Sequence, residues 1–128
     1  MVDGDRTQSF VNRFWDEFII PTITEYIRIP NKSVAFDPDW ESAGHMEAAL
    51  QLALNWLDQH PIPGARVQVG RQAGRTPLIL LDCPGEREGT VLMYGHLDKQ
   101  PEMTGWRQDL GPGHTMLKNP GAYGRGAA

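Results

Sequence analysis

The stretch Val91–Trp106, V-L-M-Y-G-H-L-D-K-Q-P-E-M-T-G-W, decides how the rest of the chain is read. Four consecutive apolar residues, Val91 to Tyr94, form the pattern of a strand buried on both faces. Gly95 then lets the backbone leave the sheet, and His96 and Asp98 follow at once. Residues i and i+2 of an extended segment point the same way, so the imidazole and the carboxylate share one face. A carboxylate beside a histidine accepts one ring N–H, fixes the tautomer and leaves the other nitrogen open to a metal. Strand ends in open α/β sheets are also where sites tend to lie. An H-x-D pair alone specifies little, because histidine and aspartate meet at strand ends as plain hydrogen-bonded neighbours too.

Working outward, length and charge bound the possibilities. A chain of 128 residues fits one domain and can bury roughly two-thirds of its unfolded surface. The net charge of −4, from 12 basic and 16 acidic residues without a basic cluster, argues against nucleic acid or an anionic membrane surface as partner. No apolar run approaches the roughly 20 residues that span a bilayer. The polar opening Met1-Val2-Asp3-Gly4-Asp5 lacks the basic-then-apolar form of a signal peptide. Cys83 is the single cysteine, so no internal disulfide forms, which suits a reducing cytoplasm as the expected location.

Upstream, apolar side chains at Phe10/Val11, Phe14/Trp15, Phe18/Ile19, Ile23 and Tyr26/Ile27 follow helical spacing, predicting an amphipathic helix from about Asp5 to Arg28. Pro21 falls inside it and removes a backbone donor, so a kink or a break into two helices is expected there. The aromatic stripe reads as core packing against a sheet. Pro30 ends the helix. A second helix is expected from Asp37-Pro38, with Asp37 as cap and Pro38 in the first position, to about His60. Pro61-Ile62-Pro63-Gly64 stops it, and His45 and His60 read as solvent-facing or terminal residues.

Three strands are expected next, at Ala65–Val69, Pro77–Leu81 and Thr90–Tyr94. The turn-length link Gly70–Arg75 favours an antiparallel pairing of the first two. Cys83, at a strand end with no histidine near it in sequence, reads as an inert buried thiol. Helices followed by a sheet with an apolar central strand suggest a layered α/β arrangement. After residue 100 glycine and proline are frequent, the pattern of short strands joined by turns, and Glu102, Asp109 and His114 read as loop residues. A phosphate-cradling role for Tyr123-Gly124-Arg125-Gly126 fits poorly, since no Lys-Ser/Thr follows it.

The blocks Tyr94-Gly95-His96-Leu97-Asp98-Lys99-Gln100-Pro101, Gly105-Trp106 and Tyr123-Gly124-Arg125-Gly126-Ala127 together carry more than the pair alone. In order and content they resemble the co-catalytic zinc metallopeptidase family. Its members include carnosinase-type dipeptidases, aminoacylase, carboxypeptidase G and succinyl-diaminopimelate desuccinylase. The resemblance is close over residues 91–126 and loose elsewhere. It implies two N-terminal helices packed on a mixed sheet, part of a layered α/β catalytic domain. It further implies hydrolysis of dipeptides or N-acyl amino acids by two zinc ions, for which manganese or cobalt could substitute. His96 would ligate one metal, with Asp98 as the catalytic partner behind it. Trp106 would be a buried ring pinning the long loop, and Ile29–Ser33 would lead into a substrate-side loop. The continuation Lys99-Gln100-Pro101-Glu102 is more similar to the dipeptidase branch than to the desuccinylase branch.

By the same resemblance, residues 1–128 are the N-terminal portion of a single catalytic domain, ending just before the aspartate that bridges both metals. The remaining ligands, the general-base glutamate and an inserted lid or dimerisation domain, through which the complete enzyme could form a homodimer, would lie outside it. The isolated chain is then expected to be inactive. A second hypothesis, from a different class, is a non-catalytic domain acting as a binding or interaction module.

Overall fold

The computed structural model describes residues 3–114, 116–118 and 121–124. The chain divides into two compact units, Met1–Pro30 with Glu102–Ala128, and Asn31–Pro101.

In the first unit, helix α1 spans Gly4–Phe14 and is capped by Asp3, whose carboxylate accepts the Arg6 N–H at 3.1 Å. A π-helical turn, Trp15–Ile19, leads into α2, Ile20–Arg28. The disturbance expected at Pro21 is therefore present, but as a widened turn ahead of the proline. The Ile20 N–H donates to the Trp15 carbonyl, five residues back. A proline lacks an N–H, and its ring crowds the carbonyl one turn earlier; a wider turn takes up that mismatch.

The stripe expected to be core is half exposed instead. Phe10, Trp15 and Phe18 keep 54 %, 49 % and 40 % of their surface in solvent, and α1 has no buried residue. Phe10, Phe14 and Phe18 lie one turn apart and cover one another, with ring centroids 5.6 and 5.0 Å apart. Ile27 is fully buried among the described residues of this unit. Strands β3, Met116–Lys118, and β4, Gly121–Tyr123, pair antiparallel, with Met116 opposite Tyr123. At Gly124 a Cβ would stand 2.8 Å from Ile27 Cγ2, so only glycine allows that approach. Arg125, Gly126 and Ala127 of the quoted Tyr123–Ala127 block lie outside the described residues.

In the second unit, a 3-10 turn, Val34–Phe36, precedes α3, Trp40–Ala43, and α4, His45–Gln59. The single helix expected from Asp37 is thus divided. The Asp37 carboxylate accepts the Asp39 N–H at 3.2 Å in a local turn, an alternative to capping a helix at Pro38. Gly44, at φ +73°, then breaks the chain between α3 and α4. Helix α4 buries Met46, Ala49 and Leu50, spaced three and four apart on one face. It ends at His60, before Pro61, as expected.

Strands β1, Arg66–Gly70, and β2, Leu78–Asp82, form the expected antiparallel pair, with Arg66 opposite Asp82 and Gly70 opposite Leu78. The third expected strand does not form. Residues 91–94 have no strand partner and are 87–89 % exposed. A run that is apolar throughout needs partner strands at its edges and cover on both faces, and the described residues give it neither. The β1–β2 and β3–β4 sheets are two-stranded and antiparallel, where one mixed sheet was expected. The chain is of mixed α and β class. Cys83, expected to be buried, is exposed. Among the described residues no helix is long and apolar enough to cross a membrane.

Candidate functional site

His96 and Asp98 sit in an extended segment that touches residues 31–33. Lys99 bridges Lys32 in parallel fashion: its N–H donates to the Asn31 carbonyl at 2.9 Å, and its carbonyl accepts the Ser33 N–H at 2.8 Å. With the backbone extended, the two functional side chains meet as the i, i+2 spacing requires. His96 Nδ1 lies 2.8 Å from Asp98 Oδ1 and 3.1 Å from the Asp98 carbonyl. A carbonyl oxygen can only accept, so Nδ1 donates, and in the neutral ring Nε2 then keeps its lone pair. The His96 side chain is 60 % exposed and Asp98 34 %, leaving the ring open to solvent. This is the tautomer a metal-binding histidine needs, held by the carboxylate that would orient it.

The donor chemistry suits one ligand of a zinc ion and does not complete a zinc site. No group of three or more His, Cys, Asp or Glu side chains able to hold a metal occurs among the described residues. His60 stacks on Trp56 at 4.3 Å, with Nδ1 2.8 Å from the Trp56 carbonyl, a helix C-terminal arrangement that agrees with its terminal reading. His45 opens α4. Asp109 pairs with Arg107 two residues away, and His114 lies in a loop bridge to Gly111, both as loop residues. Trp106, expected to be a buried ring, is half-buried, although its Nε1 is closed off from solvent.

Comparison with known protein families finds no match. A search of curated proteins finds none either. The resemblance to the zinc peptidases therefore rests on the quoted sequence blocks alone.

Two residues beside this pair escape sequence reasoning. Asn31 is 1 % exposed and Lys99 3 % exposed, both polar and both buried. The Asn31 amide Nδ2 donates to the Leu97 carbonyl at 2.6 Å, between His96 and Asp98. Its Oδ1 is buried without a partner among the described residues. An unmet buried acceptor costs about 1–3 kcal/mol, so something must hold Asn31 in place. The sequence offers a single signal for it, a polar residue directly after the helix-ending Pro30.

A two-pronged ion pair in the second unit lies elsewhere. Arg71 grips the Glu47 carboxylate with two hydrogen bonds of 2.7 and 2.8 Å, and Gln51 adds a third at 2.9 Å. The Arg71 hydrogen bonds, followed by that of Gln51, hold the Glu47 carboxyl down to about 2. The same pairing raises the Arg71 guanidinium. A cavity of about 360 Å³ opens beside this pair, lined by Trp40, Glu41 and Arg75 among others, and a second of about 240 Å³ lies by His60 and Ile62. Neither contains His96 or Asp98.

Proposed function

We propose that this chain is part of a metal-dependent amide hydrolase of the co-catalytic zinc peptidase type, acting on dipeptides or N-acyl amino acids. His96 is the residue proposed to bind one of two metal ions, and Asp98 the residue that holds the proton at His96 Nδ1. The observation that carries this reading is the 2.8 Å Nδ1–Oδ1 contact, with an exposed ring, inside the Tyr94–Pro101 block. A bound zinc ion would polarise the scissile carbonyl and acidify a water toward neutral pH. The chain's own contribution is narrower. Asp98 holds the imidazole in one tautomer and one orientation, so that no reorganisation is needed when the ion binds.

Catalytic zinc usually takes about three protein ligands plus water. His96 alone does not meet that count, so the remaining ligands and the general base are proposed to come from beyond the described residues. The 128-residue chain by itself is then expected to show no turnover. A cytoplasmic setting belongs to the same reading, supported by the lone cysteine, and a small-molecule substrate is carried by the resemblance, with the acidic charge balance speaking against nucleic acid as partner. A homodimer of the complete enzyme belongs to it as well, carried by the resemblance alone. The second reading, a binding or interaction module, draws on the exposed apolar run Val91–Tyr94.

Expression of the full reading frame that encodes this chain separates the two. With zinc or manganese supplied, a panel of dipeptides and N-acyl amino acids should be hydrolysed. His96→Ala should lose one equivalent of metal and nearly all turnover, and Asp98→Ala should weaken metal binding about 10–100-fold. Full activity in His96→Ala would sink the assignment. Absence of any metal-dependent turnover would favour the binding module.

A further inference from the structure

We propose that Asn31 is the positioning residue of the His96–Asp98 pair, fixing both peptide planes that flank Asp98. The inference rests on the reading of that pair as functional, but its geometry stands by itself. The Leu97 carbonyl belongs to the peptide plane before the Asp98 Cα, and it accepts the Asn31 side-chain N–H at 2.6 Å. The Lys99 N–H belongs to the plane after it, and it donates to the Asn31 main-chain carbonyl at 2.9 Å. Peptide units are rigid planes, so backbone freedom at Asp98 is only its φ and ψ. One buried residue therefore restrains both. The second plane also carries the Asp98 carbonyl, which lies 3.1 Å from His96 Nδ1 beside the carboxylate at 2.8 Å.

The orientation of the Asn31 amide is not arbitrary. A carbonyl can only accept, so the Asn31 atom facing Leu97 must be the nitrogen. That choice leaves Oδ1 buried without a partner among the described residues. An apolar side chain there would fill space, but it would remove the side-chain hydrogen bond to the Leu97 carbonyl and loosen the plane before Asp98, while the plane after it keeps its main-chain bond to residue 31.

The consequence reaches His96 through its tautomer. With Asp98 held, Nδ1–H points at two acceptors and Nε2 keeps its lone pair. With Asp98 released, the Nε2–H form gains population, and that nitrogen is lost to a metal.

The test needs neither metal nor substrate. The 128-residue chain is labelled with 15N at histidine and assigned by His→Gln changes at His45, His60 and His114. The His96 ring nitrogens are then read with the ring neutral. The unaltered chain should show the Nδ1–H form in clear excess. Asn31→Ala, and Asn31→Asp, which keeps the shape but removes the donor, should keep the helical circular dichroism and lose that excess. Asp98→Asn, which removes the charged acceptor, gives the reference for weakened tautomer control. Nδ1–H unchanged in a folded Asn31 variant overturns the proposal, as does an Nε2–H ring in the unaltered chain. Should neither variant fold, through-hydrogen-bond couplings from Asn31 Nδ2 to Leu97 and from Lys99 N to Asn31 decide, and their absence overturns it. In the full reading frame, Asn31→Ala should also weaken zinc binding about 10–100-fold, as loss of an outer partner does. Failure of the hydrolysis assay would refute the peptidase reading and leave the tautomer result standing; the reverse outcome would do the opposite.

Discussion

Val91–Tyr94 and the Asn31/Lys99 contact lie a few residues apart along one segment, and they invert the usual order of burial. The four apolar side chains are 87–89 % exposed, while a polar amide and a lysine at the neighbouring bridge are 1 % and 3 % exposed. Hydrophobicity sets what is gained by burial, roughly 25 cal/mol per Å² of apolar surface, but only where a surface exists to receive the side chain. At residues 97–99 a short parallel bridge supplies main-chain partners, and the Asn31 amide N–H is enclosed together with the Leu97 carbonyl that accepts it. At residues 91–94 no such partner strand is present among the described residues. Pairing is what separates the two regions.

The contrast can be broken most sharply at Asn31. Replacing it with alanine removes the hydrogen bond to the Leu97 carbonyl, and a loss of about 1–3 kcal/mol is expected in urea denaturation. A loss under about 0.5 kcal/mol, the scale of an ordinary surface change, would mean that the amide contact adds nothing to the fold. A smaller effect is expected from Leu92→Lys. Its side chain is 88 % exposed, so the denaturation midpoint should correspond to a change within about 0.5 kcal/mol. A loss near 2 kcal/mol or more, as for a truncated core residue, would show that the run is covered in solution.

The smallest effect is expected from Glu47 and Arg71, whose side chains are both about half exposed and therefore screened. The Glu47 carboxyl is lowered from 4.5 to about 2 on folding. A depressed carboxyl stabilises the folded state above its unfolded value and loses that contribution as protons bind. The pair should thus act fully above about pH 4.5 and fade between there and pH 2. Arg71→Met should flatten the stability profile in that window and leave the region above it parallel to the unaltered chain. A carboxyl that NMR finds titrating at its ordinary value would remove the pair from the account.

Legibility follows the same division. The Pro21 disturbance, the stop at Pro61 and the β1–β2 pair were readable because each depends on residues close in sequence. Gly44 shows the limit of that reading, since a continuous apolar pattern hid a left-handed break within it. The site divides likewise. His96 and Asp98 are two residues apart, so an extended backbone puts both side chains on one face, where they meet at 2.8 Å. By contrast, Asn31 and Leu97 are 66 residues apart, and no local pattern announces their contact.

The sequence by itself therefore determined the helical segments, the hairpin and the local pairing of histidine with aspartate, because torsional preferences and hydrogen bonds act over a few residues. Only the tertiary structure decided that Asn31 and Lys99 are enclosed, that Val91–Tyr94 are not, and that the aromatic stripe of α1 is half in water. Burial depends on which distant surface arrives, and arrival is a property of the folded chain as a whole.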